Sequence, residues 1–238
     1  CIIKLLIQTM QSPQEAIKGS KIDDCWLSSY KFNITSQNGE DGMVEKIFEV
    51  IKEDNKWCVE FGALDGKRLS NVWNLITNKR WAGVLIEAGK KWYGNLAKRY
   101  KDNQNVICLN KFVEFDGRNT IDKILSETVI PKSFDFLCID IDGNDYHIWE
   151  SMKIYEPRVV IIEFNPSMSA DIEFIQTKDM KINHGSSLLS LTKLGKQKGY
   201  ELVATTAVNA IFVKKDYFES FKIKNNSPSS LYQDKQFE

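Results

Sequence analysis

The sequence predicts an α/β protein, a mostly parallel central sheet with helices on both faces and one antiparallel strand at its edge. Three observations lead there. Phe134-Asp135-Phe136-Leu137-Cys138-Ile139 and Arg158-Val159-Val160-Ile161-Ile162 are almost continuously apolar, as strands buried on both faces are. Shorter apolar runs at 57–61, 81–86 and 106–109 alternate with stretches of helical periodicity. The first of these runs enters a turn, Gly62-Ala63-Leu64-Asp65-Gly66, and the turn opens a segment, 71–78, whose Val72, Trp73, Leu75 and Ile76 have the spacing of a helix face.

The 238 residues divide into an N-terminal arm or docking segment (1–35), a main domain (36–221) and a flexible C-terminal tail (222–238). Residues 1–10 are mainly apolar but too few to cross a bilayer, which takes about 20 residues, and are expected to dock as a helix. A start at Cys1 fits a fragment or a processed product. Residues 11–35 are polar, with Trp26, Leu27, Tyr30 and Phe32 expected to pin them to the body. Lys+Arg and Asp+Glu are both 32, so no global field favours nucleic acid or an anionic membrane. Five cysteines without a C-x-x-C pattern suggest neither a zinc site nor a disulfide framework, and point to a reducing, cytoplasmic setting.

Along the main domain, Ser36-Gln37-Asn38-Gly39-Glu40-Asp41-Gly42 leads into a helix over 43–51. Ser36, Asn38 or Asp41 would cap it, while Gln37 and Asp41 are placed to border a pocket. A second strand ends at Glu87. The helix over 90–100 is basic and aromatic, yet positive residues on an outer face are ordinarily just solvated. A third strand, 106–109, delivers Asn110 to the level of an adenine edge, and 121–125 is helical. The strand over 134–139 runs into Asp140, Asp142 and Asp145, and its neighbour ends in Glu163 and Asn165. The polar segment 167–183 reads as a lid or insertion over the pocket. His184-Gly185-Ser186-Ser187 then caps a helix over 188–198, and 199–204 with 210–213 form a closing hairpin.

The glycine turn identifies a ligand. Gly62 and Gly66 let the main chain approach closely, and a following helix would aim free N–H groups at the same place. Dinucleotide sites carry G-x-G-x-x-G, whereas this chain has E-x-G-x-x-x-G, with Glu60 where a diphosphate would be repelled. A cation suits that carboxylate, and S-adenosylmethionine is a sulfonium without phosphate. Glu87, roughly 20 residues on, stands at the spacing of a ribose acceptor. Asp140, Asp142 and Asp145 either hold a hard divalent ion through oxygen or supply one general base for an acceptor hydroxyl. With Glu163, the first two also suit a divalent cation. An EF-hand reading of the same string fails because Ser151 stands where that loop needs glutamate.

On these residues, together with Leu85-Ile86-Glu87-Ala88, Val160 to Pro166 and Gly185-Ser186-Ser187-Leu188, the chain resembles the FkbM-type S-adenosylmethionine-dependent methyltransferases, especially members associated with polysaccharide biosynthesis. The resemblance spans about residues 36–213. It implies a Rossmann-like class I methyltransferase sheet, a cofactor held near Gln37, Asp41, Glu60, Gly62, Gly66, Glu87, Asn110 and Asp140, and methyl transfer to an oxygen of a small-molecule or glycan acceptor. Asp140, Asp142 and His184 are then the candidate catalytic groups, and Asp145, Glu163 and Asn165 the acceptor-facing ones. Two other classes stay open: an NAD-type oxidoreductase, and a catalytically silent cofactor-binding or scaffold protein.

Overall fold

The computed structural model describes residues 23–232. The docking helix expected over 1–10 therefore lies outside the described residues. Seven strands form one sheet: β1 (Trp57–Phe61), β2 (Ala82–Ile86), β3 (Val106–Leu109), β4 (Ser133–Ile139), β5 (Glu156–Glu163), β6 (Tyr200–Thr205) and β7 (Asn209–Lys214). Their order is β3-β2-β1-β4-β5-β7-β6. All neighbouring pairs are parallel except those made by β7, which lies antiparallel between β5 and β6.

Among the described residues the α-helices are α1 (Glu40–Ile51), α2 (Trp73–Thr77), α3 (Lys90–Tyr100), α4 (Ile121–Ser126), α5 (Asp145–Ser151), α6 (Leu188–Gln197), α7 (Lys215–Phe218) and α8 (Pro228–Leu231). Right-handed crossovers put α2 and α3 on one face. Because β4 and β5 extend the sheet in the opposite direction, the same rule puts α5 on the other. The central strands are consequently buried on both sides: Val59, Leu137, Val160, Ile161, Ile211 and Phe212 have no exposed surface. Near-continuous apolar strands are what such a position requires.

The chain reverses its direction across the sheet between β1 and β4, and that topological switch point is where a crevice opens beyond the carboxyl ends of parallel strands. Strand register then sets the composition of its floor. Phe61 pairs with Ile86, Glu60 with Cys138, Ile139 with Ile162, and Glu163 with Asn209. One step along, Glu87, Gly62, Asp140, Glu163 and Asn209 fall in a single row across five strands.

One expectation about the ends is corrected. Residues 222–232 are no loose tail: Ile223 and Leu231 are buried, and Thr205 Oγ1 donates to the Leu231 carbonyl at 2.7 Å. In the arm, Leu27 is buried and Trp26 stacks on Phe221 while donating to its carbonyl. Tyr30 and Phe32 are more exposed, yet they too meet α1: Lys46 Nζ stands 4.6 Å over the Tyr30 ring, and the Phe32 carbonyl accepts from Gly42 N at 3.1 Å. No helix among the described residues is long and apolar enough to cross a membrane.

Candidate active site

A cavity of about 540 Å³ opens at the switch point, within the range of small-molecule and cofactor sites. Its wall includes Gln37, Glu60, Gly62, Glu87, Asp140, Asp142 and Glu163, all expected from sequence. It also includes residues the sequence reading passed over: Glu40, Ser70, Asn71, Lys111, Phe112, Asn144 and Asn209.

At the β1 end, Gly62 has φ +65°, and a Cβ there would overlap the carbonyl oxygen of Asp140. Only glycine lets the two strand ends lie so close. Glu60 is buried, accepting from Ser70 Oγ and from the Asn71 backbone N–H, each at 2.7 Å. Burial pushes its carboxyl up to about 7, against the pull of those two donors, and Asp140 and Asp41 raise it further. Its first task is thus to shape the loop. Ser70 Oγ in turn accepts from the N–H groups of Val72 and Trp73, so these two donors at the start of α2 are satisfied internally and are not free for a ligand. The helix itself is shorter than the expected 71–78.

Glu87 follows β2 and accepts from Leu64 N at 2.9 Å and Gly89 N at 2.6 Å, one bond to each oxygen. Each oxygen retains a lone pair for a diol. Phe112, 52% exposed, is a large aromatic face on the same wall. Leu64, Leu69 and Asp142, also wall residues, are held at φ between +47° and +59°. Strain of this kind gathers where surrounding structure fixes a binding geometry.

At the β4 and β5 ends, the carboxylates crowd. Asp140, Asp142 and Glu163 each bring one oxygen within 4.8 Å of the others. Asp140 keeps exposed surface at the mouth of the cleft, and partial desolvation of its carboxyl there, then Asp142 and Glu40, raise it to about 6. Glu163 is raised to about 8 by burial and by Asp140, Asp145 and Asp142. Like charges in a cleft shift in this direction because each disfavours ionisation of the next.

Several expected site residues serve the frame instead. Asp41 accepts from the N–H groups of Ile34, Thr35 and Ser36 and from Ser36 Oγ, a carboxylate clamping a loop, and it is absent from the wall. Gly66 makes room for α3: a Cβ would lie 2.5 Å from Leu96 Cδ1 and 2.7 Å from Tyr100 Cε2. Asn110 spends its amide on the carbonyls of Glu87 and Ala88. Asp145 is buried, accepts from Ile141 N and Gly143 N, and so folds the loop that carries Asp140 and Asp142. Asn165 donates to the His184 carbonyl and accepts from Ser167. His184 is exposed and lies outside the cavity wall, bound through its backbone to Gln176 and Asn165.

The 167–183 segment runs beside the cleft. Gln176, buried, donates to the Ile182 carbonyl, accepts from His184 N and Gly185 N, and through its own carbonyl meets His147 Nε2 at 2.7 Å. Met180 and Asn183 reach the cavity wall. Gly143, at φ +124°, lets the segment settle, since a Cβ would stand 2.7 Å from Asn183 Cα.

No protein-family model and no curated protein sequence matches the chain. Among solved structures it shares its fold with a proposed O-methyltransferase from Klebsiella pneumoniae, at TM-score 0.52 and 12% identity over 83% of this chain and 91% of that one. The N-terminal domain of EvdMO1 with SAH bound aligns less tightly, at TM-score 0.46 and 10% identity over 76% and 82%. The fold is the Rossmann-like class I methyltransferase fold.

Proposed function

We propose that the protein is an S-adenosylmethionine-dependent methyltransferase acting on an oxygen of a small-molecule or glycan acceptor. The observation that carries this reading is the row Glu87, Gly62, Asp140 and Glu163 across the switch point. It combines an acceptor for a diol, a backbone turn bare of side chain and a carboxylate of raised pKa in one cavity. Asn71 supports it further. Its side-chain oxygen is buried without a partner on a wall residue, a position suited to the amino group of the cofactor.

Under this reading Glu87 takes the ribose hydroxyls, Phe112 lies against the adenine, and Glu60 with Asn71 faces the cationic end. The bound cofactor would supply a methyl group made electrophilic by its sulfonium. Asp140 takes the proton of the acceptor hydroxyl, and its carboxyl, at about 6, is close to the value at which a base is both free and effective near neutral pH. Holding both reactants in one cavity supplies much of the rate, because a bimolecular step becomes effectively intramolecular. Asp140, Asp142 and Glu163 are also the oxygen set that suits a hard divalent cation among the described residues.

A glycan acceptor and a link to polysaccharide biosynthesis rest on the FkbM-type resemblance alone. The crossing test is an assay with S-adenosylmethionine labelled in the methyl group and a panel of sugars. Label in an ether-linked product supports the reading. Cofactor binding without transfer to any acceptor assigns the chain to the scaffold class instead.

A further inference from the structure

The half of the cleft over β4, β5 and β7 has a chemical bias that methyl transfer alone does not call for. Its wall consists of Glu40, Asp140, Asp142, Asn144, Glu163 and Asn209 together with uncharged neighbours. No basic side chain is among them. The two basic residues of the whole wall, Arg68 and Lys111, follow β1 and β3, on the other side of the switch point. Three carboxylate oxygens converge within 4.8 Å with nothing positive between them.

An independent observation concerns the two amides. Asn144 and Asn209 are 2% and 5% exposed. Asn144 donates to the carbonyls of Asp179 and Ile182, and Asn209 donates to Glu40 Oε1 at 3.0 Å. Each leaves its side-chain oxygen buried with no donor. Asn209 is moreover the register partner of Glu163. Buried acceptors are normally satisfied, and orphans on a cavity wall mark where a donor is missing.

We propose that this half of the cleft is a subsite for a protonated amine carried by the acceptor, which is therefore an amino alcohol such as an amino sugar. Asp142 and Glu163 hold the ammonium, whose charge displaces the proton Glu163 keeps in the ligand-free protein, and Asp140 faces the neighbouring hydroxyl. An ammonium offers three donors and no acceptor, the complement of this wall. Two oxygens about 2.8 Å from its nitrogen along tetrahedral directions stand about 4.6 Å apart, within the 4.8 Å spread of the cluster. The charge also directs the chemistry: a protonated nitrogen has no lone pair, so the oxygen is methylated and the nitrogen spared. The bond formed is O–CH3, the bond broken is S–CH3, and the hydroxyl proton passes to Asp140. Carboxylated or phosphorylated acceptors are rejected by repulsion. The ammonium site stands on geometry, while its pairing with a reacting hydroxyl rests on the methyl-transfer reading.

The test is calorimetric, on the full 238-residue chain both free and saturated with S-adenosylhomocysteine. Glucosamine, N-acetylglucosamine, glucuronate, MgCl2 and CaCl2 are titrated separately. Glucosamine is expected to bind at least tenfold more tightly than its N-acetyl counterpart, with glucuronate silent. The double variant Asp142→Asn/Glu163→Gln should lose that preference and keep S-adenosylhomocysteine affinity within threefold, which also reports that it folds. Equal binding of the two sugars, or binding of neither, overturns the proposal. Saturable Mg2+ or Ca2+ binding that the double variant abolishes overturns it too, by assigning the cluster to a metal. Failure of S-adenosylhomocysteine to bind would strike the methyl-transfer reading, and the titrations of the free protein would still decide the amine site.

Discussion

Gly62 rests against the carbonyl of Asp140, at the carboxyl ends of the two strands where the chain changes direction across the sheet. The contact is backbone on backbone, so it cannot yield by rotating a side chain. Gly62→Ala forces a methyl into that carbonyl at a φ of +65°. The expected cost is about 2 kcal/mol, or about 4–8 °C in melting temperature at this size, with loss of S-adenosylhomocysteine binding. Thermal melts and calorimetry on the variant check both, and an unchanged melt would mean the strand ends are looser than described.

Asp140 and His184 were both candidate bases, and the structure separates them. Asp140→Asn should leave cofactor affinity within a few-fold and lower turnover at least 100-fold, the usual worth of a general base. His184→Ala should leave turnover within about twofold, because its side chain lies outside the cavity wall. Single-turnover rates on the two variants decide the assignment. A large loss in the histidine variant would reverse it.

Stability of the ligand-free protein should fall with rising pH. Glu163 goes from an ordinary 4.5 to about 8 on folding, Glu60 from 4.5 to about 7 and Asp145 from 3.8 to about 7. The native state thus holds these protons more tightly than the unfolded chain. Their contribution is fully present below about 4 and is lost as pH climbs through 7 and 8. Glu163→Gln removes one of the three, so its gain in melting temperature over wild type should grow between pH 5 and pH 8. A gain that is constant across that range would contradict the crowding described here.

Phe112→Ala tests the adenine end. An aromatic face beneath a base is worth about 1–3 kcal/mol, so S-adenosylhomocysteine should bind about tenfold more weakly with the melt of the free protein unaltered. Unchanged affinity would place the base elsewhere.

Much of this arrangement was legible in the chain. Apolar strands that end in Glu60, Glu87, Asp140 and Glu163 can only deliver those groups to one rim once the strands are parallel. What stayed hidden is mostly a matter of local competition. Asp41, Asp145, Asn110 and Asn165 are residue types that bind ligands, but they equally bond nearby backbone, and nothing in a single sequence says which partner wins. Glu40 was invisible for the opposite reason: it is tied to Asn209, 169 residues away. Phe112 sits in a loop without periodicity. Residues 222–232 bury too few apolar side chains to read as anything but a tail, and they are held partly by a hydrogen bond from Thr205.

The proposed function requires the crevice at the switch point to accept a cationic sulfur nucleoside and to refuse a dinucleotide. Titrating the protein with S-adenosylmethionine, S-adenosylhomocysteine and NAD side by side in a calorimeter addresses it directly. Saturable one-to-one binding of the first two, with no heat from NAD, is the predicted result. Binding of NAD in preference to either sulfur nucleoside would contradict it and return the chain to the oxidoreductases.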